Sequence, residues 1–401
     1  MGATTDTDIV RDLCGRILRQ NWREGTCGSV EFGYTCPSPT HYPWQWYWDS
    51  CFTAMVWRRF DPERSRTELS SLLAAQRGDG FIGHTIFWNT PLNGARRFTY
   101  NVTSPNSPMT STIQPPILAW ACRIAVGDPR EVAGIVRHHE WLSEHRDLDG
   151  DGLIWIIQPD ESGLDASPQF DPIWGSRAHG LPGFVLLVHR NRQLGFDLAR
   201  IDEAGGPVCC EVATNVLYNL SRQALGLPSL TDTIIARMYE ETEALFRPIA
   251  RPEPRRRSPV TWSALSPLAL PDLPEDIGRQ LVERHLLDPS GFWLPVPPPS
   301  VSANDPSFSP DDTGLLGVRR YWRGPTWVNS GWLLWLGLLR LGYEREAAEL
   351  AARLAATVQR EGLREYYDPH YGHGMGAVDF GWSALSLELV EPDPSAGRSH
   401  L

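Results

Sequence analysis

The sequence contains no lysine: all 37 of its basic side chains are arginine. Schiff-base, pyridoxal-phosphate and P-loop chemistries all require a lysine, so they are excluded. Basic runs are scarce too. The longest is Arg255–Arg257, in a proline-rich stretch that reads as an exposed loop. Together with a net charge of −11, this argues against a nucleic-acid-binding face. No apolar run of about 20 residues is present, so no membrane span is expected. The start, "MGATTDTDIVRDL", has neither a basic n-region nor an apolar h-region, so no secretory signal is expected. Cysteines are few and odd in number, seven in all. Their spacings match no zinc or redox pattern. Reduced, mostly buried thiols are expected, which favours the cytoplasm.

Tryptophan, by contrast, is abundant, with 17 residues. Many are clustered, as in "YPWQWYWDS", "LIWII", "PIWGS" and "YWRGPTW". A core uses tryptophan sparingly because its N–H needs a partner. Flat rings beside Asp, Gln and Arg suit a carbohydrate pocket, where rings cover the sugar faces and polar groups take the hydroxyls. The plainer alternative is a helical barrel that packs tryptophans between helices.

Helical periodicity dominates the chain. Twelve segments carry it: 5–20, 49–59, 62–76, 112–126, 129–146, 179–194, 207–224, 230–248, 274–288, 326–341, 344–361 and 380–390. "DPERSRTEL" and "DPREVAGIV" place Asp before Pro at a first helical turn. Twelve helices without a convincing run of strands suit six helical hairpins closed into an all-α (α/α)6 barrel. No repeat or domain boundary stands out. The expectation is one catalytic domain over 1–401, with its core at about 5–392 and a short flexible tail. Four long loops, 20–48, 77–111, 147–178 and 289–325, contain or lead into clustered aromatics and acids. Long ordered loops of this kind usually carry function.

Two acidic groups stand close together in "RDLDGDGLIWIIQPDESGLDASPQFD". Asp147, Asp149, Asp151 and Gly152 match the start of a calcium loop. The twelfth position, where such a loop needs a bidentate Glu, is Gln158. A turn built from Asp and Gly is the better reading, with calcium held by some other set of oxygens as the alternative; no metal or other cofactor is expected. The second group is Asp160, Glu161, Asp165 and Asp171. A carboxyl in an aromatic, poorly solvated pocket is harder to ionise and can donate a proton near neutral pH. The residue types alone do not choose among these four. Near the C-terminus, Glu365 sits beside two tyrosines, ahead of a Gly-rich turn. Hydrolysis with inversion needs an acid and a base carboxylate on opposite sides of the bond, about 6.5–9.5 Å apart. A toroid can bring two distant residues face to face in this way. His138–His139 is the only adjacent histidine pair and reads as solvent-facing on an amphipathic helix. It gives little support to an epimerase.

Five motifs in order resemble glycoside hydrolase family 63, specifically its small bacterial mannosylglycerate and glucosylglycerate hydrolase branch. They are "WQWYWDSCF", "STIQPP", "DGDGL…ESGLDASPQFD", "YWRGPTWVN" and "EYYDPHYGHGMGAVDFGWSAL", spanning about residues 40–392. The resemblance implies an (α/α)6 barrel and an inverting α-glycosidase acting on a small α-glucoside or α-mannoside. It makes Asp165 the general acid and Glu365 the general base. Tyr42, Trp46, Trp48, Asp49, Gln114, Trp322, Arg323 and Trp382 would bind the sugar. The implied partner is a small carbohydrate; nothing in the sequence sets an oligomeric state. A glycerate carboxylate would want an arginine, and Arg96, Arg97, Arg177, Arg319 and Arg320 lie in or near loops. Two positions depart from the family: Ala166 and Asp379 stand where Asn is expected. They motivate the alternative of a non-catalytic sugar-binding or biosynthetic accessory protein.

Overall fold

Two kinds of helix alternate along the chain. In one kind nearly every residue is apolar or small, and the helix is buried on all sides. Tyr47–Trp57 is the clearest case, with all of its residues buried. The other kind carries a single apolar stripe. In Glu344–Glu361 the buried residues Ala347, Leu350, Ala351, Leu354 and Val358 recur at helical spacing while acidic and Arg residues face out. This is the pattern of a helix resting on a core. Leu354 is fully buried, so truncating it to Ala would cost about 2–5 kcal/mol. These features are seen in a computed structural model that describes residues 6–103, 108–175, 181–311 and 321–392.

The buried helices form an inner ring. In chain order they are Tyr47–Trp57, Leu118–Ala125, Val212–Ala224, Trp262–Ala269, Val328–Arg340, and Gly381–Leu385 continued by Ser386–Val390. Each packs against the next, and the last returns to the first. The striped helices surround them: Asp6–Asn21, Pro62–Ala74, Ala133–Arg146, Thr231–Met238, Glu275–Leu281 and Glu344–Glu361. These six inner and six outer helices make the (α/α)6 barrel. Local chemistry sets the helix starts. The Asp61 side chain accepts from the Glu63 and Arg64 amides, and Asp128 accepts from Arg130, as Asp-Pro starts predict.

The membership of the ring differs from the sequence expectation at one place. Segment 179–194 does hold a helix, Leu181–Gln193, but it is additional to the twelve. The missing member is Trp262–Ala269, wound as a 3-10 helix with Pro267 inside it. It is buried on every side, so no amphipathic stripe marks it. His138 and His139 are also corrected. Both are buried, His138 packing tilted against Tyr47 and His139 stacking on Tyr218, and so they join an outer helix to two inner ones.

Strands among the described residues occur as five two-stranded antiparallel pairs. One matters for the site. Arg364–Tyr367 pairs with Gly374–Val378, with Gly374 opposite Tyr367 and a register shift between Met375 and Val378. Glu365 therefore lies on a strand, fully buried.

Candidate active site

Loops at one end of the barrel enclose a cavity of about 350 Å³, a size suited to a small ligand. Eight of the ten residues singled out from the sequence line it. Asp165 and Glu365 are among them, with Tyr42, Trp46, Trp48 and Asp49 from the first long loop and its helix. Gln114 and Trp382 complete the set. Trp322 and Arg323 are not among the lining residues. Trp322 stacks flat on Trp327 at 3.8 Å behind the wall, and its amide donates to the Asp165 carbonyl. Arg323 donates to the Asp171 carboxylate at 2.5 Å. This pair ties the Asp165 loop to the following segment.

Asp165 follows a short 3-10 turn, Pro159–Ser162, that ends at Gly163 with φ 70°. A Cβ at Gly163 would lie 2.6 Å from the Trp48 indole, so only glycine lets the loop close on that ring. The Asp165 side chain is open to the cavity, but protein encloses that space closely. Burial, and then the charge of Glu365, push its carboxyl up to about 6. The two carboxyls thus share one electrostatic environment despite the long stretch of chain between them.

Glu365 is held from both sides. Tyr321 O–H donates to its Oε1. The Ala377 amide donates to Oε2 at 2.8 Å, reached through the irregularity in the strand pair. Gly376, at φ 64°, makes this approach possible: a Cβ there would sit 2.6 Å from Glu365 Oε2. Trp382 Nε1–H donates to the Glu365 carbonyl at 3.3 Å. Two donors on one carboxylate suit a fixed acceptor of protons.

Asp49 sits in the first turn of Tyr47–Trp57, and Gln114 Oε1 accepts from the Trp48 amide at 3.0 Å. One otherwise orphaned N–H at the helix start is thereby satisfied. Burial, and then the Glu365 charge, hold the Asp49 carboxyl well above the usual range. Trp48 meets Trp382 edge-on at 5.2 Å, giving the cavity an aromatic floor.

Sequence reasoning missed His84 and Tyr321 and left Asp160 as one of four candidate acids; all three line the cavity. Glu161 supports the loop: it forms a buried bidentate pair with Arg146 and accepts from the Ile113 and Ile157 amides. Tyr321 opens the "YWRGPTWVN" motif, so its proximity to Glu365 was within reach. His84 lies in a stretch with no motif.

Of the other candidates among the described residues, only Ala166 lines the cavity. Arg177, Arg319 and Arg320 fall outside the described residues. Arg96 and Arg97 belong to the short helix Gly94–Thr99 and do not line the cavity. The calcium-like loop is occupied internally. Asp147 accepts from the Gly150 and Gly152 amides, and Arg237 and Arg251 take Asp149 and Asp151. Ala166 and Asp379 both have positive φ, 60° and 53°. This left-handed region is tolerated by Asn and costs Ala on the order of 1 kcal/mol. The Ala166 departure thus costs backbone comfort, whereas Asp379 tolerates this region much as Asn does. Asp379 accepts from Gln20 at 2.9 Å, and neither residue is a hydrogen-bond partner of the Glu365 carboxylate, which Tyr321 and the Ala377 amide hold.

A family model described as "Mannosylglycerate hydrolase MGH1-like glycoside hydrolase domain" matches residues 42–211 and 227–383. A mannosylglycerate hydrolase from Rubrobacter radiotolerans is 29% identical, the match covering 89% of this chain and 93% of the relative. A glucosylglycerate hydrolase from Mycolicibacterium hassiacum is 25% identical over 88% of this chain and 93% of its own. Among solved structures, a family 63 mannosylglycerate hydrolase from Thermus thermophilus, in complex with Tris and D-glycerate, superposes with a TM-score of 0.77. It is 26% identical, covering 95% of this chain and 99% of that one.

Proposed function

Because the chain belongs to the mannosylglycerate hydrolase MGH1-like glycoside hydrolase domain family, we propose that it hydrolyses a glycosylglycerate-type α-glycoside by single displacement with inversion. It is a glycoside hydrolase on an (α/α)6 barrel. In our reading, protonated Asp165 donates to the glycosidic oxygen. Ionised Glu365, fixed by Tyr321 and the Ala377 amide, takes a proton from the attacking water. The sugar lies over Trp48 and Trp382, and Asp49 and Gln114 contact its hydroxyls. The observation that carries this reading is the pairing of a raised Asp165 with a doubly held Glu365 on one cavity.

The substrate class rests on relatives named for mannosylglycerate and glucosylglycerate. We take the chain as one catalytic unit, since its first helix packs on its last. No helix among the described residues is long and apolar enough to cross a membrane. All seven cysteines are free, which supports our placing the enzyme in the cytoplasm. The test is to incubate the enzyme with mannosylglycerate and glucosylglycerate and watch the anomeric protons by NMR. Appearance of β-sugar first from the α-glycoside is the expected result. Appearance of α-sugar first, or no release from either, would overturn the proposal.

A further inference from the structure

Asp160 is a third kind of acid in this cavity, one that the proposed mechanism does not use. It lines the cavity beside Asp165 and His84. Its side chain is 15% exposed, and that exposure opens on the cavity. Oδ2 accepts from Gln158 Nε2 at 2.9 Å, while Oδ1 is buried and has no partner. An ionised carboxylate in this position would leave a charged oxygen without a donor, at a cost of several kcal/mol. The neighbouring charges point the same way. Burial, then the Asp165 charge, then that of Glu161 hold Asp160 well above the usual carboxylate range. Glu161 is itself neutralised by Arg146.

His84 completes the corner without supplying a cation. Its Nδ1 lies 3.9 Å from Asp160 Oδ2, too far for a hydrogen bond. A buried ion pair would close that gap to gain its attraction. Burial also takes the imidazole down to about 3. The two groups therefore form an uncharged polar corner. With Oδ1 carrying essentially no accessible surface, it is the Oδ2 side of the carboxyl that meets the cavity, offering one O–H donor beside the imidazole acceptor of His84. A sugar hydroxyl, itself both donor and acceptor, fits that offer. An anionic group at this corner would find no cation among the described lining residues to receive it.

We propose that Asp160 is a specificity-determining residue whose un-ionised carboxyl, beside His84, hydrogen-bonds one hydroxyl of the bound sugar. This rests on reading the cavity as the glycoside site. Because the corner is uncharged, it binds sugar without altering the proton-donating role of Asp165.

The experiment measures binding of D-mannose, D-glucose and their monodeoxy analogues by calorimetry, to wild type, Asp160→Ala and Asp160→Asn. Binding needs no turnover, so it separates this inference from the hydrolysis reading. One deoxy analogue should bind wild type about 10-fold or more weaker than its parent sugar. Asp160→Ala should weaken the parent by a similar factor and bind that analogue no worse than wild type does. Asp160→Asn, whose amide keeps a donor, should recover most of the loss. If either variant melts well below wild type, the comparison of parent with deoxy sugar within that variant still decides. On any glycoside that is turned over, Asp160→Asn should leave the alkaline limb of the pH profile unmoved. Three results would overturn the inference: no sugar binding to wild type, equal discrimination of all deoxy analogues in wild type and Asp160→Ala, or a downward shift of that limb in Asp160→Asn.

Discussion

Two acidic loops lie close together in this chain and end in opposite situations. In the first, Asp149 and Asp151 meet Arg237 and Arg251 near the surface, and Asp147 caps backbone amides. In the second, Asp160 and Asp165 face a cavity with no arginine among its described lining residues. Both loops look alike as strings of Asp and Gly. What separates them is the counter-charge, supplied from elements far away in sequence. A paired carboxylate is scaffold, whereas an unpaired one in poorly solvated surroundings keeps its proton and becomes usable chemistry. Glu161 sharpens the contrast: inside the second loop, it is paired with Arg146 and serves as scaffold.

The largest expected effect comes from the unpaired side. Asp165→Asn should lower turnover of a glycosylglycerate by about 10²–10⁴-fold, the usual worth of a positioned acid. The same variant should gain stability above about pH 6 relative to wild type. The folded protein holds the Asp165 proton more tightly than the unfolded chain does. The wild-type contribution is thus fully present below the ordinary carboxylate value and lost as pH rises through about 6. Asn has no proton to lose, and thermal melts at about pH 5 and pH 8, on either side of that value, would read the difference.

Next in size is the paired acid of the same loop. Glu161→Gln leaves Arg146 buried and charged without its partner, which should cost about 3–5 kcal/mol in denaturant unfolding. An unchanged midpoint would mean that the buried pair is not scaffold. A smaller effect is expected on the pH profile. With Asp165 as the proposed proton donor, the rate should fall as pH rises through about 6. In Glu365→Gln burial still acts on Asp165 but the neighbouring charge is gone, so residual activity should show its limb at lower pH. The smallest effect belongs to the first loop. Arg237→Ala removes a partly exposed partner of Asp149 and Asp151 and should change stability by less than about 1 kcal/mol, with turnover unchanged.

The barrel was legible because amphipathic outer helices announce themselves. Its one misassigned member, Trp262–Ala269, was silent because burial on every side erases the periodic signal. That Glu365 lies on a strand was not legible, because the strand is only four residues long and its pairing depends on the turn that follows it. The aromatic lining was legible through motifs in order. His84 and the unpartnered oxygen of Asp160 were not, since neither burial nor the absence of a donor is written in local sequence. Ala166 stands at a left-handed position on the cavity wall, and nothing in the structure explains an Ala there.

The most direct measurement gives Asp165→Asn and Glu365→Gln two substrates of the same sugar: the glycosylglycerate and the α-glycosyl fluoride. Fluoride leaves without a proton, so a missing acid should matter little there, while a missing base should matter for both. The account predicts that Asp165→Asn is crippled on the glycosylglycerate yet close to wild type on the fluoride, and that Glu365→Gln is crippled on both. Equal loss on both substrates in Asp165→Asn, or retained turnover in Glu365→Gln, would contradict it.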